Sequence, residues 1–169
     1  MSHLNVEIKA YCKDQDKIRD ILKSKNADFK GLDHQIDTYF KVNVGRLKLR
    51  EGNIENSLIF YNREDKEGPK ESKVTKFDTE PGSNLKEILT SSIGVFMVVD
   101  KQREIYFIDN IKFHIDDVKD LGKFVEIEAI DLDGTISREK LLQQCQEYIK
   151  LFDIKEGDLI SKSYSDLLK

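Results

Sequence analysis

Arg46, Lys48 and Arg50 stand two residues apart, opposite Leu47 and Leu49, which puts three cations on one face of a strand. Lys101 and Arg103 repeat the spacing, and Tyr61 shares a face with Arg63. Carboxylates alternate in the same way: Glu126 and Glu128 among Val125, Ile127 and Ala129, and Glu7 with Lys9 among Val6, Ile8 and Ala10. Lys112, His114 and Asp116 form a further row. Any one row reads first as the wet side of an antiparallel sheet. Together they suggest more, because like charges two residues apart repel and gain nothing as solvent decoration. They make sense if an anion lies across them. Strands carrying cations in some places and carboxylates in others can close into a barrel with a charged interior and an apolar exterior covered by helices. Such a lumen would hold a polyanion through its cations and a hard divalent ion through its carboxylates, as Mg²⁺ does with one or two carboxylates plus phosphate oxygens.

The elements that must position these rows follow from apolar periodicity. Leu4 to Cys12 reads as a strand, and Asp14 caps a helix to Lys25 with a stripe of Ile18, Ile21 and Leu22. Strands are expected at Leu32 to Val42, Gly45 to Glu51 and Asn56 to Glu64, the last two joined through Gly52-Asn53. Asp65 to Glu71, with Gly68-Pro69, reads as a loop. A strand at Glu71 to Asp78 leads through Pro81-Gly82 to a short helix bearing Leu85, Ile88 and Leu89. Strands at Val95 to Lys101, Arg103 to Ile108 and Ile111 to Val118 follow, with Asp109-Asn110 as a hairpin turn, and then Lys123 to Asp131. Ser137 caps a helix to Phe152, and a last helical segment is expected from Lys155 to Leu168. The reading is one α+β domain over residues 1–169.

Composition narrows the function. The chain has 169 residues, 38% hydrophobic, with 28 Lys+Arg against 32 Asp+Glu, so the signs nearly cancel and charge-driven disorder is excluded. A pI near 5.5 argues against coating nucleic acid. No apolar run approaches the ~20 residues of a membrane span, and Met1 to Asn5 has no signal-peptide pattern. Cys12 and Cys145 are far apart, in no metal or redox spacing, and read as packing residues of a protein in a reducing cytoplasm.

At this point the motifs resemble a known family. Val6-Glu7-Ile8-Lys9-Ala10, Gln35-Ile36-Asp37-Thr38-Tyr39-Phe40, Gly45-Arg46-Leu47-Lys48-Leu49-Arg50, Tyr61-Asn62-Arg63 and Lys101-Gln102-Arg103 are similar to motifs of the CYTH superfamily of triphosphate tunnel metalloenzymes. So are His114-Ile115-Asp116-Asp117-Val118, Leu121 to Glu128 and Ser163 to Leu168, which look closest to the class IV adenylyl cyclase-like branch. The superfamily also includes thiamine triphosphatases. The resemblance implies a closed or nearly closed eight-stranded antiparallel β-barrel, a triphosphate tunnel, with helices packed outside. It implies Lys9, Arg46, Lys48, Arg50, Arg63, Lys101 and Arg103 as phosphate ligands, Arg gripping bidentately and Lys as a point charge. It further implies Glu7, Glu126 and Glu128 as ligands of Mg²⁺ or Mn²⁺. Asp116 would sit near the reacting end as metal ligand or base, and Lys101 and Arg103 would neutralise charge on the leaving group.

One position departs from the pattern. The family opens Glu-x-Glu-x-Lys, and here the first residue is Asn5, which removes a carboxylate and leaves a second metal unsupported. Asp37 reads either as orienting a lumen Arg or as uninvolved, and Tyr39 as filler or participant. His114 reads as structural or substrate-adjacent, His3 and His34 as surface, and Ser72 and Lys76 as tunnel-facing. Ser163 to Leu168 either caps a tunnel end or packs on a second subunit in a homodimer. Three functions follow: cyclisation of ATP to cyclic AMP and pyrophosphate, hydrolysis of inorganic, thiamine or nucleoside triphosphate, and binding without turnover. None involves nucleic acid or a membrane.

Overall fold

The computed structural model describes residues 2–169. Eight strands form: β1 (Ser2–Tyr11), β2 (Asp28–Phe40), β3 (Arg46–Glu51), β4 (Asn56–Arg63), β5 (Lys70–Asp78), β6 (Val95–Ile108), β7 (Ile111–Val118) and β8 (Gly122–Asp131). They close into a barrel in the order β1-β5-β4-β3-β2-β6-β7-β8, and β8 pairs back onto β1. Every neighbouring pair is antiparallel. This is the eight-stranded barrel that the alternating charges and the resemblance implied.

Period-two alternation assigns each strand one inner and one outer face. The outer faces of β1, β7 and β8 supply Val6, Ile8, Phe113, Ile115, Val125 and Ile127 to the main core. Two helices complete that core from outside: α1 (Gln15–Ser24) through Ile18 and Leu22, and α3 (Arg138–Leu151) through Leu141 and Cys145. Asp14 caps α1 by accepting from the Lys17 amide at 3.2 Å, and Ser137 caps α3 by accepting from Lys140 at 3.1 Å. A third helix, α2 (Leu85–Ile93), lies against β2. Among the described residues, no helix is long and apolar enough to cross a membrane.

Two expectations need correction. The strands expected at Val95 to Lys101 and Arg103 to Ile108 are one strand, β6. The polar run Asp100 to Glu104 looked like a break, but Lys101 and Arg103 are buried inside while Gln102 is exposed outside, opposite His34 and Asp117. The helical segment expected from Lys155 to Leu168 is a 3₁₀ turn at Glu156–Asp158, an extended stretch, and the short α4 (Tyr164–Leu167). The stretch is held to β1 by the Ile160 amide donating to the Lys9 carbonyl at 2.9 Å, so sheet pairing replaces helix there. Ser163 caps α4, which brings Tyr164 over one end of the barrel.

Candidate functional site

The inner faces enclose a cavity of about 470 Å³. Eight lysines and arginines line it, Lys9, Lys48, Arg50, Arg63, Lys76, Lys101, Arg103 and Lys112, together with Glu7, Glu126 and Glu128. Nine of the residues expected at the site therefore line one cavity. Register explains the arrangement: Lys9 faces Glu126 and Glu7 faces Glu128 across β1 and β8, and His114 and Lys112 of β7 face the same two glutamates from the other side. Glu126 thus lies between Lys9 and His114, and Glu128 between Glu7 and Lys112.

Asp37 is fully buried and holds three of the cations. Arg50 donates to it from Nε and Nη2, both at 3.0 Å, Lys101 Nζ lies at 2.6 Å and Lys48 Nζ at 3.2 Å. Burial works against its charge, yet Arg50, Lys101 and Lys48 hold it well below the usual carboxylate range. Burial conversely drives the Lys101 ammonium well below its ordinary value despite Asp37. Of the two readings left open for Asp37, its contacts fit the one in which it orients a lumen Arg.

Asp116 is placed differently from its expected role as metal ligand or base. It does not line the cavity, and both of its oxygens are occupied: Arg103 donates to each at 2.7 Å and the Tyr164 hydroxyl donates to Oδ2 at 2.7 Å. It fixes Arg103 from behind. Tyr164 also carries Lys9 Nζ 3.7 Å from its ring centroid, so α4 contributes a side chain to the cavity lining.

His114, Glu126 and Glu128 form the cluster suited to a cation, with one donor atom from each all within 4.8 Å of one another. His114 Nδ1 is 3.2 Å from Glu126 Oε2 and 3.7 Å from Glu128 Oε1. An octahedral ion with ligands at about 2.1 Å sets neighbouring donors about 3.0 Å apart, so His114 Nδ1 and Glu126 Oε2 already stand near that spacing and Glu128 would close onto a bound ion. Burial, then the Arg103 charge, pushes His114 down to about 3, which leaves its imidazole neutral. Burial, then Glu7, pushes Glu128 up to about 7. Burial opposes charge on Glu126 too, but Arg103 and Lys9 hold it well below the usual range. Glu7, expected as a ligand, is ion-paired with Arg63 at the edge of this group.

Arg46 is not brought to the cavity. Its guanidinium donates to Asp166 at 2.8 Å and lines a separate pocket of about 90 Å³ with Ser163. The pairing partner comes from α4, an element whose position the strand alternation did not contain.

Sequence reasoning missed Glu55, which bridges the lumen. Its carboxylate accepts from Arg50 at 3.2 Å and from Lys112 at 2.5 Å. It is set in place by Asp33, which accepts from the Ile54 and Glu55 amides at 2.9 and 3.0 Å. Gly52 permits this turn, because a Cβ there would lie 2.6 Å from Asp33 Oδ1 and 2.7 Å from the Glu55 carbonyl. The row Asp33, Gln35, Asp37, Tyr39 at period two was the available signal for Asp33. Glu55 lies in a loop, where no periodicity marks it. Ser72 and Lys76 do face the cavity, as does His3, expected at the surface. The wall near His3 and Lys76 also carries Phe107, Ile130 and Leu132.

Residues 3–164 match the family described as CYTH domain. A protein of Methanocaldococcus jannaschii named "Putative adenylate cyclase MJ0240" is 29% identical over 181 aligned positions, covering 97% of this chain and 98% of that one. Among solved structures, a conserved hypothetical protein of Pyrococcus furiosus is 25% identical with a TM-score of 0.79, covering 96% of this chain and 99% of that chain. A protein of Hippeastrum, described as "Putative adenylyl cyclase HpAC1" with a dominant triphosphatase activity, is 12% identical with a TM-score of 0.64. The match covers 98% of this chain and 93% of that chain, and at that identity the likeness is one of fold.

Proposed function

The chain belongs to the CYTH domain family, and on that premise we propose that it binds the triphosphate of ATP in its tunnel with a divalent cation and cyclises it to cyclic AMP and pyrophosphate. The observation that carries this reading is the presence of eight lumen lysines and arginines and the His114, Glu126, Glu128 cluster in one cavity. The apolar Phe107, Ile130 and Leu132 on the same wall favour a triphosphate that carries a nucleoside over bare inorganic triphosphate.

Lys9, Lys48, Arg50, Arg63, Lys101 and Arg103 bind the phosphate oxygens. Asp37 and Asp116 are positioning residues, since they hold Arg50, Lys101 and Arg103 in fixed forks and spare the substrate the cost of ordering them. Glu126 and Glu128 would hold Mg²⁺ or Mn²⁺, with Glu7 beside them, and a bound ion would neutralise charge on the phosphate oxygens. The ribose 3′-hydroxyl attacks the α-phosphorus and gives up its proton to water, the bond from that phosphorus to the α–β bridging oxygen breaks, and Lys101 and Arg103 stabilise negative charge that accumulates on the departing pyrophosphate. No covalent nucleophile is needed.

Product analysis by mass spectrometry tests this. The purified chain is incubated with ATP, thiamine triphosphate or inorganic triphosphate, each with Mg²⁺ or Mn²⁺. Cyclic AMP and pyrophosphate from ATP are expected. Orthophosphate without cyclic AMP would make the protein a triphosphate hydrolase, and no product from any substrate would reduce it to a binding protein.

A further inference from the structure

We propose that His114 is a nitrogen ligand, through Nδ1, of the tunnel's divalent cation, and that it makes this chain select a first-row transition-metal ion over Mg²⁺. Pairing of that cation with a triphosphate rests on the functional reading above; nitrogen ligation does not.

The inference starts from how the lumen carboxylates are already committed. Glu7 is ion-paired with Arg63, and Glu126 Oε1 lies 3.3 Å from Arg103 and 3.6 Å from Lys9. That leaves Glu126 Oε2 and Glu128 Oε1 facing a common point, and the third donor at that point is His114 Nδ1. An all-oxygen site for Mg²⁺ would need donors from elsewhere on the wall, whereas an imidazole in the first shell suits the transition ions.

The competing role for His114 is a hydrogen bond from Nδ1–H to Glu126. That role would ordinarily be fixed by what the other ring nitrogen meets. Here Nε2 is buried with no hydrogen-bond partner among the described residues, so no acceptor or donor on that side dictates the tautomer. The ring is 1% exposed and held by packing, and a cation at Nδ1 settles the proton onto Nε2. Asn5 Oδ1, of another residue lining the same cavity, is likewise buried and unpartnered among the described residues.

The test is pulsed electron paramagnetic resonance on the Mn²⁺ complex of the full chain, without triphosphate. The expected spectrum shows a directly coordinated ¹⁴N that changes frequency when histidine alone is ¹⁵N-labelled. The coupling persists in the His3→Ala, His34→Ala double variant, which leaves His114 as the only histidine. It disappears in His114→Gln and in His114→Phe. In parallel, half-displacement of bound Mn²⁺ by Mg²⁺ should take a roughly tenfold or greater excess of Mg²⁺ in the wild type, and clearly less in His114→Gln. Absence of nitrogen coupling in the wild type, its loss in the His3, His34 double variant, or a displacement ratio unchanged by His114→Gln would overturn the proposal. Melting shifts with inorganic triphosphate are read separately, so failure of the functional reading leaves a different signature: nitrogen coupling present, no stabilisation by triphosphate.

Discussion

Two pairs of carboxylates in the same barrel have opposite surroundings. Asp37 and Asp116 have side chains with no exposure, and each is saturated by a bidentate arginine and further donors. Glu126 and Glu128 are 13% and 18% exposed at their side chains, face the cavity, and sit beside a neutral histidine. Both pairs lie on strand positions that alternate in the same way, so sequence spacing treats them as equivalent. Burial and pairing divide them: the aspartates fix cations, and the glutamates remain available to an incoming one. In a free lumen crowded with charge, one set of acids has to be spent on holding the binding groups still.

The comparison is broken most directly at Asp37. We predict that Asp37→Ala strands three buried cations and lowers unfolding stability by about 3–5 kcal/mol, as loss of one partner of a buried pair does. Urea unfolding measures it, and a loss below that of an ordinary surface substitution would mean that Asp37 is not structural. The effect is pH-dependent. Asp37 titrates lower folded than unfolded, so the stability it lends is complete above about pH 4 and is lost as pH falls toward its folded value. The gap between wild type and Asp37→Asn should therefore shrink in acid.

Tyr164→Phe removes one charge-assisted hydrogen bond to Asp116 and should cost about 1.5–3 kcal/mol, read from the same curves. Arg46→Ala, which removes a guanidinium about a third exposed in its ion pair with Asp166, should cost about 0.5 kcal/mol and leave triphosphate affinity close to that of wild type. Glu128→Gln should change stability least, because it relieves repulsion from Glu7, while abolishing Mn²⁺ binding measured by calorimetry. A large stability loss in Glu128→Gln would erase the distinction between the two pairs.

Much of this was legible in the sequence, for a physical reason. Inner and outer faces of a strand differ at every residue, so the rows Arg46-Lys48-Arg50, Lys101-Arg103 and Glu126-Glu128 announced the charged interior, and the motif order pointed to the family. What alternation does not carry is which inner residues face the cavity and which are walled off. Asp116 sits behind Arg103, and Arg46 is drawn off by Asp166, because a four-residue helix caps that end. Glu55 works from a turn built around Gly52 and Asp33, where position depends on tertiary contacts rather than on period. His114 faced the same way as Lys112 and Asp116, and its pairing with Glu126 became visible only through the β7–β8 register.

The central claim is that the lumen cations left to the cavity bind triphosphate. Calorimetric titration of inorganic triphosphate into the wild type and into a Lys48→Ala, Arg63→Ala double variant tests it most directly. With two charge-assisted contacts removed, the account predicts affinity weaker by roughly a hundredfold or more in a variant that still unfolds cooperatively. Equal affinity in the two folded proteins would contradict it.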